Sequence, residues 1–283
     1  MNEIREMPAL LSGLRLLPYG MRCKARLARG LIRLMLDEGP AEIRVGKLTF
    51  RVPSTREPVA MGLIADGCYE RDVCAVLATR LSPHSVFFDV GANVGVHTIN
   101  AAHNWCSQGR VLGFEASPRI FSFLNYNVTR HQKKGLEVLH RAVTSKSGQQ
   151  LTFYDAPLQK FGMGSLANRF QNNGVLVSTI SLDDAASIGG IEHVDVIKVD
   201  VEGFELGVFQ GAMKLLQQTP SPFIVFEFTD WAEANAQSKP GDAQRFLRSL
   251  GYQTLTIDQW RRGEHAVQPV IEKGGAALVA VRL

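Results

Sequence analysis

The sequence lacks the features of membrane-spanning, secreted and disulfide-bonded proteins. No apolar run approaches the roughly 18–20 residues that a membrane-spanning helix needs. No continuous apolar core with a small-residue cleavage site follows the first charged residues, so we expect no signal peptide. The 283 residues include only four cysteines, Cys23, Cys68, Cys74 and Cys106. Their spacing fits neither a metal site nor a disulfide framework, and a reducing, cytoplasmic location is therefore expected.

Net charge and sequence repetition are also low, which excludes further classes of protein. The formal net charge of +4 is modest for this length, and the basic residues form no stripe with interleaved aromatic residues. A nucleic-acid partner is therefore not expected. No internal repeat or low-complexity tract occurs. With 45% hydrophobic residues, the chain can build one large α/β domain behind an amino-terminal extension, or two small domains.

Residues 1–40 predict a basic helical extension. From Arg15 to Leu36 every charge is positive, and apolar residues interleave with these cations at helical spacing. The cations are Arg15, Arg22, Lys24, Arg26, Arg29 and Arg33. Such a helix can lie on an anionic membrane, which would place the protein peripherally at the inner membrane surface. Alternatively, it covers the following domain or a second copy of the chain in a homodimer.

Residues 41–283 predict the α/β domain, and residues 41–81 lead into its core. Alternating apolar and polar residues between Ile43 and Val52 predict a hairpin that turns at Gly46. A helix follows and runs to about Leu81. Glu70 at its start would either favour the helix dipole or reach a ligand in a neighbouring cleft.

The stretch 86–105 predicts a buried strand, a glycine turn and a helix. Gly91 and Gly95 would let the turn approach a ligand, and the helix would offer free N–H groups to it. Asp89 adds a negative charge that would repel a pyrophosphate and attract a cation. Asn93 replaces the second glycine of Gly-x-Gly-x-x-Gly, so S-adenosylmethionine, with its sulfonium and amino groups, fits this turn better than NAD. An ordinary turn with incidental glycines is the alternative.

A second acidic residue closes the next predicted strand. Glu115 follows the strand 110–114, about 20–30 residues after the glycine turn, where a carboxylate is positioned to accept hydrogen bonds from ribose hydroxyls. Ser117 then caps a helix with Pro118 in its first turn. Further strands at 136–140, 151–154 and 175–180 follow. The glycine-rich loop at 161–166 is a substrate lid or an ordinary surface loop.

Charged residues also end the fourth strand of the predicted sheet, 194–199. Lys198 and Asp200 share one face of it because side chains alternate with period two, and Glu202 follows closely. Such a cluster is costly to bury unless its members pair or do chemistry; a solvated group of ion pairs is the alternative. The fifth strand, 223–226, would end in Glu227 at the same sheet edge, where ligands of open α/β sheets bind. One helix, 204–216, follows the fourth strand, and strands at 252–257 and 276–283 predict an antiparallel closing hairpin.

Three of these segments resemble the FkbM-type methyltransferases. They are the run from Phe88 to Thr98, the pair Phe114-Glu115, and the run from Asp195 to Glu205 with its Lys-x-Asp-x-Glu-Gly-x-Glu pattern. The resemblance implies the Rossmann-like α/β fold of class I methyltransferases, a seven-stranded, mostly parallel sheet whose last strand is antiparallel. It also implies methyl transfer from S-adenosylmethionine to a hydroxyl group of a sugar, glycan or polyketide-like natural product.

The resemblance further implies a set of cofactor contacts. Asp89, Gly91, Asn93 and Gly95 would hold the methionine part of S-adenosylmethionine, and Glu115 its ribose. The complete predicted set is Glu70, Asp89, Gly91, Ala92, Asn93, Gly95, His97, Glu115, Ala116, Ser117, Ala142 and Asp200.

A hydroxyl nucleophile must lose its proton during methyl transfer, which calls for a base or a metal ion. One hypothesis makes Asp200 or Glu202 the base, with Lys198 orienting the pair and Glu227 assisting. His97, in the first helical turn after the glycines, is a further candidate base. These five residues form the predicted catalytic set.

Other hypotheses remain open from the sequence. In one, Asp200 binds a divalent cation together with Glu227 or Asp230. Transfer to nitrogen on the same fold, a non-catalytic cofactor-binding scaffold, and a nicotinamide-dependent reductase are alternatives to the O-methyltransferase. The sequence predicts a small-molecule or glycan acceptor without identifying it.

Overall fold

A seven-stranded sheet lies at the centre of the protein. The computed structural model describes residues 5–6, 11, 13–18, 24–36, 38–264 and 268–282. The strands are β1 (Arg5–Glu6), β2 (Ala41–Val45), β3 (Leu48–Val52), β4 (Val86–Val90), β5 (Arg110–Glu115), β6 (Leu136–His140), β7 (Ala142–Val143), β8 (Gln150–Phe153), β9 (Val175–Ile180), β10 (Val196–Val199), β11 (Phe223–Thr229), β12 (Gln253–Thr256) and β13 (Gly275–Val281).

Helices surround this sheet. The α-helices are α1 (Lys24–Met35), α2 (Pro58–Ala65), α3 (Arg71–Arg80), α4 (Val96–Asn100), α5 (Pro118–His131), α6 (Leu182–Ile188), α7 (Glu205–Gln210), α8 (Met213–Leu216), α9 (Asp230–Asn235), α10 (Asp242–Ser249) and α11 (Ile257–Arg261). A π-helix, Ala101–Trp105, continues α4, and 3-10 helices span Gly13–Leu16 and Leu158–Met163.

The central sheet has the strand order β12-β13-β11-β10-β4-β5-β6. Strands β4, β5, β6, β10 and β11 pair in parallel, whereas β13 runs antiparallel to both β11 and β12. The predicted fold class, a Rossmann-like, mostly parallel sheet with an antiparallel last strand, is confirmed. Because parallel pairing aligns the carboxyl ends of the strands, the residues after β4, β5 and β10 meet at one edge of the sheet.

Both faces of the sheet carry a hydrophobic core. Successive side chains of a strand point to opposite faces, and Phe87 accordingly belongs to one buried cluster while Phe88 belongs to the other. Strands covered on both faces are mostly apolar, and Asp89 in β4 and Lys198 in β10 are the charged exceptions in these two strands.

Helix α1 lies where the sequence predicts a basic amphipathic helix, although Arg22 falls outside the described residues. Ala28, Ile32 and Leu36 are buried in the same cluster as Phe87. The outer face of α1 exposes Arg26, Leu27, Arg29, Arg33 and Leu34. The predicted division of the chain at residue 40 stays a prediction. Among the described residues, no helix has the length and apolar character to cross a bilayer.

A smaller sheet stands beside the central one. The predicted strands at 151–154 and 175–180 correspond to β8 and β9, which form a three-stranded sheet with β7 in the order β7-β9-β8. The glycine-rich loop follows β8. Its last part is fixed by two backbone hydrogen bonds between Tyr154 and Ser165, with N···O distances of 2.8 and 3.1 Å.

The single helix predicted for residues 204–216 is wrong, because the structure has two short helices, α7 and α8, separated at Gly211. A Cβ atom at Gly211 would lie 2.2 Å from the carbonyl oxygen of Thr144, so this turn packs against backbone. The carboxylate of Asp183 accepts hydrogen bonds from the N–H groups of Lys214 and Leu215 and thereby starts a new helix.

Strand β11 also differs from the prediction, which ended it at Phe226. It continues to Thr229 because β13 pairs with it over that length, with Glu227 opposite Ala277. Glu227 therefore lies within a strand. The predicted closing hairpin is confirmed as β12 and β13, and its long connection contains α11.

The turn after β4 packs directly against the end of β10. The N–H of Asp200 donates to the carbonyl oxygen of Val90 at 3.0 Å. Gly91 has a φ of +77°, and a Cβ atom there would lie 1.8 Å from the carbonyl oxygen of Asp200. A Cβ at Gly95 would lie 2.7 Å from Cδ1 of Leu124. Packing within the protein therefore requires both glycines, whereas the sequence attributed them to a ligand.

Replacing Gly91 by alanine should lower the free energy of unfolding by about 3 kcal/mol or more, because the new methyl group overlaps backbone that cannot rotate away. Gly148 provides a matched control: its φ is +76°, and a Cβ there meets nothing within 4 Å. Gly148→Ala should cost only about 1 kcal/mol, the price of the left-handed conformation alone. Urea unfolding of both variants measures the difference, and equal losses would contradict the proposed overlap.

Candidate active site and its cleft

A cleft opens at the carboxyl edge of the central sheet, beside the turns that follow β4, β5 and β10. We call it the main cleft. Its lining residues are Val90, Gly91, Asn93, Phe114, Glu115, Ala116, Ser117, Ile120, Arg141, Ala142, Val143, Phe153, Phe161, Gly162, Gly164, Leu166, Asp200, Val201, Glu202 and Phe204. The lining therefore combines residues from the three predicted motifs with residues of the glycine-rich loop. That loop therefore forms one wall of the main cleft.

Glu115 forms the floor of the main cleft at the end of β5. Its two carboxylate oxygens accept hydrogen bonds from the N–H groups of Asn93 at 2.9 Å and Ser117 at 2.8 Å. Burial raises the pKa of Glu115 to about 7. A carboxylate oxygen accepts more than one hydrogen bond, so Glu115 keeps acceptor capacity for hydroxyl groups of a ligand. Asn93 itself adopts a positive φ of 53°, which asparagine tolerates better than most residues.

Lys198 lies buried behind the main cleft, between two carboxylates. Its Nζ is 3.2 Å from Oδ2 of Asp200 and 3.7 Å from Oδ1 of Asp89. Burial alone would lower the pKa of Lys198, but the charges of Asp200, Asp89 and Glu70 outweigh it and raise the pKa. The lysine is therefore held as a cation.

Asp89 is fully buried and does not line the main cleft. Its Oδ2 accepts a hydrogen bond from the hydroxyl of Thr98 at 2.5 Å. Its Oδ1 has no hydrogen-bond partner among the described residues and faces Lys198 at 3.7 Å. Asp89 thus acts on the cleft through Lys198 and Asp200. The direct contact with a cofactor that the sequence predicted for it stays a prediction.

Three carboxylates converge beside the main cleft, two of them in the segment after β10 and the third within β11. Asp200, Glu202 and Glu227 each offer an oxygen, and these oxygens lie within 4.8 Å of one another. We call this group the acidic edge. Burial and the charge of Asp200 raise the pKa of Glu202 to about 7. The charge of Asp200, followed by burial, raises the pKa of Glu227 to about 9.

Two residues that the sequence analysis did not assign hold the acidic edge in place. Glu205, buried at the start of α7, accepts hydrogen bonds from the N–H groups of Val201 and Gly203 and so fixes the loop that carries Glu202. Arg169 pairs with Glu202 at 2.8 Å and stacks over the ring of Trp231 at 3.8 Å. Glu205 lay within the quoted motif, and its position at a helix start was the available signal. No sequence signal linked Arg169 to Glu202.

A second pocket lies on the other side of Asp200. We call it the acidic pocket, and its lining is Glu70, Val73, Lys198, Val199, Asp200, Val225, Phe226, Glu227, Gly275, Ala276 and Ala277. Asp200 lines both this pocket and the main cleft, and the two spaces therefore adjoin at this residue. A group held in the acidic pocket would face a group held in the main cleft across Asp200.

His97 is buried and faces the acidic-pocket side. Its Nε2 is 2.9 Å from Oε2 of Glu70, and its Nδ1 is 3.6 Å from Sγ of Cys74. Burial acts to raise the pKa of Glu70, but the hydrogen bond from His97 and the charge of Lys198 outweigh it and lower the pKa. Both ring nitrogens of His97 therefore already have partners.

The structure gathers most of the predicted site residues. The predicted cofactor contacts that line the main cleft are Gly91, Asn93, Glu115, Ala116, Ser117, Ala142 and Asp200. Those that do not line it are Glu70, Asp89, Ala92, Gly95 and His97. Asp230, predicted as an alternative metal ligand, lies outside the acidic edge. Its two oxygens accept hydrogen bonds from the N–H groups of Trp231 and Gly274 instead. Glu202 is the third carboxylate of the edge.

Comparison with known proteins adds independent information. The profile of the methyltransferase FkbM domain matches residues 89–254. Over 187 residues the chain is 29% identical to the hexuronic acid methyltransferase AglP of Haloferax volcanii, covering 66% of this chain and 72% of that protein. It is also 29% identical to the 31-O-demethyl-FK506 methyltransferase FkbM of Streptomyces tacrolimicus, covering 53% of this chain and 65% of that protein.

Among solved structures, the chain is similar to methyltransferase FkbM from Methylobacillus flagellatus. The TM-score is 0.45 and the sequence identity 14%, and the match covers 71% of this chain and 44% of that protein. The chain thus spans less than half the length of that structure.

Replacing Glu227 by glutamine should make the protein less sensitive to alkaline pH. The fold raises the pKa of Glu227 from 4.5 to about 9, so between these values the folded state holds a proton that the unfolded chain has lost. Stability is then lost as the pH rises toward 9. Between about pH 6 and pH 8.5, the free energy of unfolding of the wild type should fall by about 3 kcal/mol more than that of Glu227→Gln.

Urea unfolding at the two pH values measures this difference. Glu137→Gln, which removes an exposed carboxylate paired with Arg110, should follow the wild type. Equal pH dependence in the wild type and in Glu227→Gln would contradict the raised pKa.

Proposed function

This chain belongs to the FkbM methyltransferase family, and from that membership we propose that it transfers the methyl group of S-adenosylmethionine to a hydroxyl group of a sugar, glycan or polyketide-like natural product. The family match over residues 89–254 carries the proposal. It includes the glycine turn, Glu115 and the acidic edge. The acceptor class is inferred from two relatives, one named for a hexuronic acid and the other for an O-methyl position of FK506.

The charge distribution supports a cationic cofactor. Around the junction of the two spaces, five carboxyl groups accompany the cations Lys198 and Arg169, and a third cation, Arg141, lines the main cleft. The carboxyl groups are Glu70, Asp89, Asp200, Glu202 and Glu227. S-adenosylmethionine supplies an electrophilic methyl group on a positively charged sulfur, which the unbalanced carboxylates would stabilise. The residues present therefore fit this cofactor, with Glu115 accepting hydrogen bonds from its ribose hydroxyls.

Methyl transfer requires that the acceptor hydroxyl and the methyl group be aligned. We assign the main cleft to the cofactor and the acidic pocket to the acceptor, because Asp200 lines both. The carboxylate of Asp200 would take the hydroxyl proton, and Lys198 would hold it in position at 3.2 Å. Glu227, whose pKa is raised to about 9, already holds a proton at neutral pH and would assist by sharing that proton with Asp200. The paired ring nitrogens of His97 favour Asp200 over His97 as the base.

A second candidate mechanism uses a divalent cation. The oxygens of Asp200, Glu202 and Glu227 are ligands of the kind that Mg²⁺ and Mn²⁺ prefer, and their mutual distances allow one ion to contact all three. A cation there would acidify the acceptor hydroxyl in place of a protein base. Transfer to nitrogen instead of oxygen remains an alternative, since an acidic pocket also attracts an amine.

Helix α1 supports a further proposal about location. Its outer face combines Leu27 and Leu34, exposed by 44% and 82%, with three arginines. This surface suits a peripheral contact with an anionic membrane, at which a lipid-linked glycan acceptor would be presented. A homodimer through the same face is the competing proposal. Co-sedimentation with anionic vesicles tests membrane binding, and sedimentation equilibrium tests dimer formation.

Asp200→Asn should lower kcat by about 10²–10⁴-fold while changing the Kd for S-adenosylmethionine by less than about tenfold, because the variant loses a proton acceptor but keeps the shape of the main cleft. Calorimetry measures the Kd, and release of S-adenosylhomocysteine with a panel of uronic acids and macrolides measures turnover. Asp258→Asn, an exposed aspartate outside both spaces, is the control. Near-normal turnover would remove Asp200 as the base, and no binding of the cofactor at high micromolar concentration would overturn the proposed function.

Chelation separates the two mechanisms. If a protein base acts alone, treatment with EDTA should leave turnover within about twofold of the untreated enzyme. If a divalent cation acts, turnover should be lost and should return on addition of Mg²⁺ or Mn²⁺. In that case Glu202→Gln should also raise the metal concentration needed for half-maximal activity.

A further inference from the structure

Two cysteines flank the segment that carries Glu70 into the acidic pocket. Cys68 precedes it, and Cys74 lies in the first turn of α3. The thiols of both residues contact one acceptor, the carbonyl oxygen of Tyr69, at 3.4 Å and 3.2 Å. Sharing this acceptor brings the two thiols close together, and their interaction shifts the pKa of each. Both are partly exposed, whereas Cys106 is buried.

A chain of side-chain contacts connects Cys74 to the acidic pocket. Its Sγ is 3.6 Å from Nδ1 of His97, and Nε2 of His97 is 2.9 Å from Oε2 of Glu70. A carboxylate only accepts hydrogen bonds, so we assign the ring proton to Nε2. Nδ1 then presents a lone pair to the Cys74 thiol. A thiol, an imidazole and a carboxylate thus stand in the order in which a proton is withdrawn from sulfur.

We propose that Cys68 and Cys74 are a reversible thiol–disulfide pair that responds to hydrogen peroxide and controls the geometry of the acidic pocket. The modification site is inferred from the geometry of the two cysteines. The claim that oxidation affects binding of the acceptor rests on the function proposed above. Neither cysteine lines the main cleft or the acidic pocket, and the control therefore acts through Glu70, which lines the acidic pocket alone.

Cys68 is the residue that reacts first. Its interaction with Cys74 lowers the pKa of Cys68 most strongly, and the charge of Arg71 also lowers it, against the opposing effect of burial. The Cys68 thiolate attacks one oxygen of hydrogen peroxide, which breaks the O–O bond and gives a sulfenic acid and hydroxide, the latter protonated to water.

Cys74 resolves the sulfenic acid. Nδ1 of His97 takes the Cys74 proton, and the thiolate attacks the Cys68 sulfur, forming the S–S bond and displacing the hydroxyl group as a second water with that proton. In sum, two thiols and one peroxide give one disulfide and two waters. A dithiol reductant reverses the change.

The disulfide must disturb Glu70. A disulfide bond requires the two sulfur atoms to approach to about 2.0 Å, much closer than two thiols that contact the same carbonyl oxygen. Cys74 then loses its contacts with Nδ1 of His97 and with the Tyr69 carbonyl. Only Tyr69 and Glu70 join Cys68 to α3, and Glu70 holds a left-handed φ of 47° there. The shift therefore reaches the carboxylate that lines the acidic pocket beside Lys198 and Asp200.

Peptide mapping tests the pair directly. In full-length Cys23→Ser/Cys106→Ser protein, one equivalent of hydrogen peroxide should join the tryptic peptides 57–71 and 72–80, because trypsin cleaves after Arg71 between the two cysteines. The joined mass should be about 2 Da below the sum of the reduced peptides. Adding Cys68→Ser or Cys74→Ser to this background should abolish the joined species. Stable sulfenic or sulfinic acid on Cys68 beside a free Cys74 would overturn the proposal.

Two measurements on the same samples test the consequence without an acceptor. The ¹⁵N resonance of His97 Nδ1 should shift on oxidation and return with dithiothreitol, and the Kd for S-adenosylmethionine should stay within about twofold. A disulfide that leaves the His97 resonance unchanged would overturn the link to the acidic pocket. Failure of reduced protein to bind S-adenosylmethionine would count against the proposed function alone, because the disulfide and the His97 shift are measured independently.

Discussion

The buried cation of Lys198 is the constraint on which the site depends. It lies between carboxylates at the ends of two neighbouring parallel strands, β4 and β10, whose register places Lys198 beside Asp89. A lone charge there would be expelled or neutralised, so Lys198 stays charged because Asp89 and Asp200 together compensate it. The same pair of strands brings the glycine turn against the backbone of Asp200. The ion pairs of Lys198 and the packing of the glycine turn thus hold the ends of β4 and β10 together.

The site contains more carboxyl groups than cations, and this excess indicates the charge of its ligand. After Lys198 and Arg169 are paired, the acidic edge still concentrates carboxyl groups that repel one another, and the pKa of Glu227 rises because Asp200 lies close. Such repulsion is unfavourable for the isolated fold and is relieved by a proton or a cation. Functional sites commonly store strain of this kind. A cationic methyl donor in the adjoining main cleft is the partner that the family membership supplies.

Sequence reasoning reached much of this arrangement, and for clear reasons. Glu115 and Asp200 were found because each follows the apolar residues of a strand, and the ends of parallel strands meet at one edge whatever the details of the fold. The break at Gly211 and the extension of β11 were missed because each depends on a distant segment, the Thr144 carbonyl in one case and strand β13 in the other. The pairing of Arg169 with Glu202 was missed for the same reason. Asp230 was misplaced as a candidate ligand because proximity along the chain does not show that a carboxylate is already bound to backbone.

By itself, the sequence determined an α/β domain, the succession of most strands along the chain and the acids that follow them, since apolar periodicity is a local property of the chain; the Rossmann-like class followed from the resemblance of its motifs to a known family. Only the tertiary structure decided that Asp89 is hidden behind Lys198, that Asp200 faces both the main cleft and the acidic pocket, and that Cys74 meets His97. Those facts depend on how side chains from separate elements pack against one another, and packing distances are not encoded in the spacing of residues along one strand or helix.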